Sequence, residues 1–176
     1  MYEKYIYAFL TAFSAGCATV PKGLVPVNGF EVQRYLGTWH EIARLDHPFE
    51  RGLVSVTAEY SLRQDGGVKV VNRGYKTSIG KWKEVEGRAY FVGDSVVGQL
   101  KISFFRPFYG GYNIIELDRK GYSYALVAGP SKAYLWILAR SPELSPQIMR
   151  RLVDRAKELG FNTEKLIFPG VAQQVK

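Results

Sequence analysis

The stretch YLGTWHEIARL, at residues 35–45, decides the fold of this chain. Apolar and polar side chains alternate along part of it, as they do in a β-strand that buries one face. Successive side chains of a strand point to opposite faces, so if Trp39 points inward, Glu41 and Ala43 do the same. The stretch therefore predicts a first strand whose buried face starts with a large aromatic ring.

Seven further segments with strand character follow, and short links join them. The Asp65-Gly66-Gly67 link is a hairpin signal, because glycine tolerates the positive φ of a tight turn. Links of this length connect neighbouring strands, which favours an up-and-down barrel over a sandwich or a Greek key. The eight predicted strands are residues 35–45, 54–62, 68–75, 81–92, 100–105, 112–117, 122–129 and 133–140.

After the last strand the apolar spacing changes to that of a helix. Ser145 suits the N-cap, Pro146 suits the first helical position, and Gly160 ends the pattern. We expect a single helix that packs its apolar stripe on the outside of the barrel wall. The stripe consists of Ile148, Met149, Leu152, Val153, Ala156 and Leu159.

The composition is that of one globular domain with a short extension: 176 residues, 47% hydrophobic and 23% charged. It excludes a disordered tail and a coiled coil. The formal charge of +8 suits contact with nucleic acid, anionic lipid headgroups or acidic ligands, or it reflects a soluble surface rich in lysine. No apolar run reaches the ~18 residues of a helical membrane span, so no helix of this chain is expected to cross a bilayer.

The N-terminus has the character of a targeting segment. Residues 5–13 are apolar, and the small residues Ser14, Ala15 and Gly16 follow them before Cys17. The pattern resembles the lipobox of bacterial lipoproteins, in which the chain is cut before the cysteine and the thiol is acylated. The alternatives are a cysteine inside an ordinary cleaved signal and a frayed terminus. As this is the chain's single cysteine, it forms no intramolecular disulfide.

The lipobox resemblance divides the chain and implies its location. Ala18, directly after the cysteine, does not carry the usual inner-membrane retention signal. The resemblance therefore implies attachment to the outer membrane, facing the periplasm. We expect a signal peptide at residues 1–16, an acylated cysteine and tether at 17–33, a barrel with its helix at 34–169 and a tail at 170–176.

The body of the chain resembles the lipocalins. Gly37-Thr38-Trp39 on the first strand, Arg140 at the end of the eighth, and the helix that follows are the pattern of that family. The similarity is closer still to bacterial outer-membrane lipocalin lipoproteins. It implies an all-β fold, an eight-stranded up-and-down antiparallel barrel with one C-terminal helix packed outside. The local stretches that carry it are residues 38–53, 60–75, 107–119 and 125–142.

Trp39 and Arg140 are predicted to close the floor of this barrel. A guanidinium laid on an indole face is held by ~0.5–2 kcal/mol of cation–π attraction. Its remaining donors can satisfy backbone carbonyls at that end. We therefore assign both residues a structural role rather than a ligand contact.

Parity along the strands predicts the lining of the interior. The set is mostly apolar, with small residues that leave room, as a ligand pocket requires, although a filled core would look similar. The resemblance favours a true cavity. The predicted lining is Glu41, Ala43, Val56, Ala58, Tyr60, Val70, Asn72, Val85, Ala89, Ile102, Phe104, Val127, Tyr134, Trp136 and Leu138.

Glu41 is the informative polar member, because an inward carboxylate is costly unless it is paired. Arg73, Lys101 or a ligand headgroup could pair with it, although parity places Arg73 outside. The alternative is a structural ion pair near the floor. Glu116, on the sixth strand, raises the same question.

The resemblance implies binding, storage or transport of a lipophilic ligand, such as a fatty acid or a lysophospholipid, with no cofactor or metal. The alternative is a lipocalin-fold enzyme acting on a lipid or another hydrophobic small molecule. The chain has no nucleophile elbow, phosphate loop or C-x-x-C motif. We expect His40 outside the barrel and His47 on its surface, so neither predicts catalysis.

The expected partners are a lipid ligand and the membrane that holds the N-terminal lipid anchor. Nucleic acid is not expected, because the aromatic side chains fall largely on the predicted inner face rather than on an open basic face. The sequence leaves open whether the chain forms a homodimer.

Overall fold

The computed structural model describes residues 19–170, and within them it forms a closed antiparallel barrel. Eight strands follow one another around the barrel in chain order, and β1 pairs with both β8 and β2 to close it. A short β9 adds to the edge of β1 through the Leu45–Leu166 pair. The strands are β1 (Gly37–Leu45), β2 (Leu53–Leu62), β3 (Val68–Lys76), β4 (Lys81–Phe91), β5 (Gln99–Phe105), β6 (Phe108–Leu117), β7 (Tyr124–Ala128), β8 (Leu135–Ala139) and β9 (Leu166–Ile167).

This topology confirms the predicted up-and-down barrel. Every connection from β1 to β8 joins strands that are adjacent in space, as short links require. The barrel has two distinguishable ends. We call the end where β1 begins and β8 finishes the floor, and the opposite end, where β1 connects to β2 and β7 to β8, the mouth.

Two helices complete the described chain, together with 3₁₀ turns at Thr77–Ile79 and Thr163–Lys165. The short α1 (Val32–Tyr35) lies at the floor, directly before β1. The longer α2 (Pro146–Glu158) begins where the sequence predicts, with the Ser145 hydroxyl accepting from the Ile148 amide at 3.3 Å. It packs outside the barrel, as predicted, and buries Leu152 and Ala156 completely. No helix in this part of the chain is long and apolar enough to span a membrane.

Two hydrophobic clusters lie on the two sides of the wall. Residues such as Trp39, Val70 and Val127 form the inner cluster inside the barrel. Leu126 and Ile137, from neighbouring strands, belong to the outer cluster beneath α2. Alternation along each strand thus supplies both cores from a single sheet.

The segment before α1 lies against the barrel. The Val27 amide donates to the Ile114 carbonyl at 2.8 Å, and the Phe30 amide donates to the Val96 carbonyl at 2.7 Å. Leu24, Val27 and Phe30 are buried. From residue 19 onward, therefore, the segment predicted as a tether is packed on the barrel. The predicted signal peptide and Cys17 lie outside the described residues.

Candidate functional site

The floor is closed by the pair that the sequence singled out. The Arg140 guanidinium carbon lies 4.1 Å from the centre of the Trp39 ring, which is fully buried. Arg140 also donates to the carbonyls of Leu36 at 2.8 Å and Thr38 at 2.9 Å. The indole nitrogen of Trp39 donates to the Tyr35 carbonyl at 2.8 Å. One side chain therefore ties the start of β1 to the end of β8.

The floor half of the interior is packed core. The hydroxyl oxygen of Tyr112 lies 2.8 Å from that of Tyr35 and 2.7 Å from that of Tyr60. The cavity between these rings, Phe30 and Leu100 has a volume of only about 10 Å³. Side chains thus fill the interior at this level.

Strand register places most of the predicted lining on the inner face. Ala58 pairs with Asn72, which pairs in turn with Val85, so these three share one side of the wall. Tyr134 stacks on Trp136, with ring centres 6.3 Å apart, where β8 starts at the mouth. The inner face carries Glu41, Val56, Ala58, Tyr60, Val70, Asn72, Val85, Ala89, Ile102, Phe104, Val127, Tyr134, Trp136 and Leu138.

The prediction for Ala43 is wrong. Opposite β8 the register of β1 shifts between Glu41, which pairs with Leu138, and Ala43, which pairs with Ile137. This bulge inserts one extra residue and reverses the alternation beyond it. Ala43 therefore lies in the outer cluster beneath α2.

The same bulge turns Arg44 into the barrel, where it is buried and pairs with Glu41. Arg44 also donates to the Glu50 carbonyl at 2.9 Å. The partners that the sequence suggested for Glu41 lie elsewhere. The Arg73 guanidinium carbon is 4.7 Å from the Trp82 ring centre, and the Lys101 ammonium lies over the ring of Tyr109.

The connection between β1 and β2 folds inward and completes a buried polar cluster. Nε2 of His47 lies 2.9 Å from Oε2 of Glu50, and the indole nitrogen of Trp136 donates to the same oxygen at 3.0 Å. The expectation of a surface His47 is wrong, since this side chain is 4% exposed. It is enclosed by the rings of Phe49, Tyr134 and Trp136.

The two carboxyl groups of this cluster have opposite acidities. Burial, together with the negative charge of Glu50, raises the pKa of Glu41 to about 8, although Arg44 opposes the shift. Burial also works against ionisation of Glu50, but the hydrogen bond and charge of His47 and the indole N–H of Trp136 lower its pKa. At neutral pH the pair therefore holds one proton on Glu41 and one negative charge on Glu50.

Two nitrogen atoms in this cluster have no hydrogen-bond partner within the described chain. Nε of Arg44 and Nδ1 of His47 are buried without a hydrogen bond, and so is the amide oxygen of Asn72 on the inner face. Buried polar atoms normally find partners. The free N–H at Nε of Arg44, at the mouth half of an apolar interior, suits an oxygen atom of an anionic group, and Nδ1 of His47 is available to a polar group beside it.

Glu116 lies on the outer wall rather than in the interior. The register of β6 against β7 shifts between Ile114 and Glu116, and the carboxylate lies 3.8 Å from Arg155 of α2. The groove around this pair, about 840 Å³, is open to solvent and has charged side chains, among them Arg150 and Arg151. An apolar ligand would lose little contact with water there.

The residues that sequence reasoning missed are Arg44, His47 and Glu50. Glu41 and Arg44, like His47 and Glu50, are three residues apart, and this was the available signal. On a regular strand that spacing puts two side chains on opposite faces, so a bulge and a folded loop were needed to join them. Among the described residues, no group of three or more His, Cys, Asp and Glu side chains could hold a metal ion.

Comparison with known proteins places these features in context. A family model described as a lipocalin-like domain matches residues 30–170. The chain is 54% identical over 153 residues to the outer membrane lipoprotein Blc of Vibrio cholerae, covering 87% of this chain and 90% of that protein. It is 52% identical over 161 residues to the protein of the same name from Escherichia coli K12, with coverages of 92% and 90%.

Solved structures share the architecture at lower identity. Insecticyanin from the tobacco hornworm Manduca sexta superposes with a TM-score of 0.70 at 20% identity, covering 90% of this chain and 88% of that one. At 20% identity, this similarity shows a shared fold and nothing further.

Proposed function

The chain belongs to the lipocalin family, and we propose that its barrel binds a fatty acid or a lysophospholipid, for storage or transport. Ligand binding of the lipocalin type follows from the family. The finer assignment rests on the described interior, in which an apolar wall meets a polar cluster. The apolar wall can contact an acyl chain, and the polar cluster can bind a charged headgroup.

The buried, unsatisfied nitrogen atoms of Arg44 and His47 carry the proposal. They lie at the mouth half, above the apolar wall formed by residues such as Val70 and Val127. The carboxylate or phosphate of a single-chain lipid would accept from Nε of Arg44, while its hydrocarbon lies along the inner face between this cluster and the packed floor. Removing that hydrocarbon from water supplies about 0.8 kcal/mol per buried CH₂.

Filling the interior from one side of the wall tests the proposal. Ala58→Trp places an indole on the inner face, whereas Thr57→Trp places the same ring outside on the same strand. We expect a fluorescent fatty acid to bind wild type and Thr57→Trp near one per chain, and to lose at least tenfold in affinity for Ala58→Trp. Equal affinity in both variants would refute a ligand inside the barrel. Native mass spectrometry of protein purified without detergent then identifies the lipid.

The relatives named above are called lipoproteins, not enzymes, and we propose a binding protein rather than a catalyst. Their names also support outer-membrane localisation for this chain. We propose further that residues 1–16 are removed and that acylated Cys17 anchors the barrel on the periplasmic face. Cys17→Ser should abolish palmitate labelling and leave the protein removable from the outer membrane by a high-salt wash, whereas Thr19→Ser should change neither property. Palmitate labelling that persists in Cys17→Ser would exclude the anchor.

A further inference from the structure

The mouth of the barrel exposes a group of large apolar side chains. Phe49, Phe105 and Phe108 are 76%, 66% and 68% exposed, and Ile79 and Trp82 are each about half exposed. All five lie on or next to three of the four connections at this end, and we call them the mouth patch. Grouped exposure of this kind marks an interaction surface, unlike scattered single side chains.

Positive charge surrounds the mouth patch. Lys76, Lys81, Lys83 and Arg106 lie on the same connections or on the strand ends beside them, and none of the four takes part in an ion pair within residues 19–170. The exposed Asp46 of this end is matched by Arg51 at 2.7 Å, and the exposed Glu84 of β4 offsets only one of the four cations. An apolar surface ringed by unpaired cations is complementary to an anionic lipid surface.

The first residues of β4 extend beyond the neighbouring strand at the mouth. β4 and β5 pair from Arg88–Ser103 to Phe91–Leu100, but β4 starts seven residues before Arg88, whereas β5 ends two residues after Ser103. Trp82 lies on this extension, at the rim of the mouth.

The described chain also begins near the mouth. The Thr19 carbonyl accepts from the Asn113 side chain at 3.3 Å, beside Gly111 and near Pro130 of the β7–β8 connection. Two residues span at most about 7 Å, so a lipid on Cys17 would be attached within that reach of Thr19. This step rests on the acylation proposed above, whereas the patch and its charge do not.

We propose that the mouth patch docks on an anionic phospholipid bilayer, with Trp82, Phe105 and Phe108 at headgroup depth. A single-chain lipid can then pass between bilayer and barrel through the mouth without crossing water. Aromatic side chains favour the membrane interface, and the surrounding lysines favour anionic headgroups. A second copy of this chain is the poorer occupant, because its mouth would bring the same unpaired cations against these.

Contact quenching tests the depth of Trp82. Full-length protein, as acylated wild type and as Cys17→Ser, is mixed with vesicles of phosphatidylglycerol and phosphatidylcholine whose acyl chains carry bromine. We expect quenching of tryptophan emission in both proteins. Most of the quenching should disappear in Trp82→Phe, since Trp39 and Trp136 lie inside the barrel. Quenching that Trp82→Phe leaves unchanged would overturn the proposal.

Matched substitutions at the two ends of the barrel test the patch itself. In the Cys17→Ser background, Phe105→Ser with Phe108→Ser should weaken vesicle binding at least tenfold. Leu62→Ser with Val96→Ser, at exposed apolar positions of the floor, should leave binding unchanged. Both double variants carry the same apolar N-terminal segment, so its contribution to vesicle binding is the same in each. Melting temperatures verify that each variant folds.

The remaining outcomes are distinguishable. Equal binding by the mouth and floor variants, or quenching confined to the acylated protein, would overturn docking while leaving the anchor intact. Patch-dependent binding of a wild type that carries no acyl group would support docking and refute the anchor. A dimer that Phe105→Ser with Phe108→Ser dissociates, with vesicle binding unaltered, would assign the patch to a second copy and overturn the proposal.

Discussion

Replacing Glu41 by glutamine should remove a defined part of the pH dependence of stability. The amide is nearly isosteric with the protonated carboxyl group. It can still accept from Arg44 and donate toward Glu50, with which Glu41 interacts in the buried cluster. It cannot ionise, so the substitution isolates the titration of Glu41 from its packing.

The sign and size of the effect follow from the raised pKa. The folded chain holds the Glu41 proton up to about pH 8, whereas the unfolded chain releases it near the ordinary value of 4.5. In that window the folded state binds one more proton, so the free energy of unfolding falls as pH rises, by about 1.4 kcal/mol per unit. Across the window the loss is about 5 kcal/mol at most. Glu50, whose pKa is lowered, loses its stabilising contribution only on the acidic side of 4.5.

Urea unfolding of wild type and Glu41→Gln at intervals from pH 5 to pH 9 measures the difference directly. Titrations common to both proteins cancel where they are independent of residue 41. The stability advantage of the glutamine variant should grow toward pH 8 and then level off. Glu116→Gln, on the outer wall, should retain the wild-type slope. If Glu41→Gln retains it as well, Glu41 is ionised in the fold and the reasoning fails.

Two further predictions concern the floor and the interior. Trp39→Ala should lower the free energy of unfolding by ~3–5 kcal/mol, as measured by chemical denaturation. A double-mutant cycle with Arg140→Ala should show coupling of about 1 kcal/mol, because the guanidinium carbon lies 4.1 Å from the ring centre. Strictly additive effects would contradict that contact. A bromine-substituted fatty acid should quench the tryptophan fluorescence of wild type by contact. Trp136→Phe should abolish more of this quenching than Trp82→Phe does, since Trp136 packs on the inner cluster. The reverse order would place the ligand outside the barrel.

Residues 35–45 show how far sequence patterns reach. Trp39 and Glu41 lie inside, as alternation predicts, because the pleat of a strand is a local property of the backbone. Two residues later the prediction fails at Ala43, since the bulge there depends on how β1 must pair with β8. Nothing within the stretch itself encodes that partner.

The amino-acid sequence by itself determined the barrel and its outer helix. The spacing of apolar residues, the Gly and Asp of the turns, and the caps at Ser145 and Gly160 act over a few residues and hardly depend on distant contacts. Only the tertiary structure decided the polar site. Arg44 faces Glu41 because closing the barrel imposes a bulge, and His47 is buried because its loop folds back onto the rings of β8. Such contacts depend on how distant strands meet in space, and no local periodicity records that.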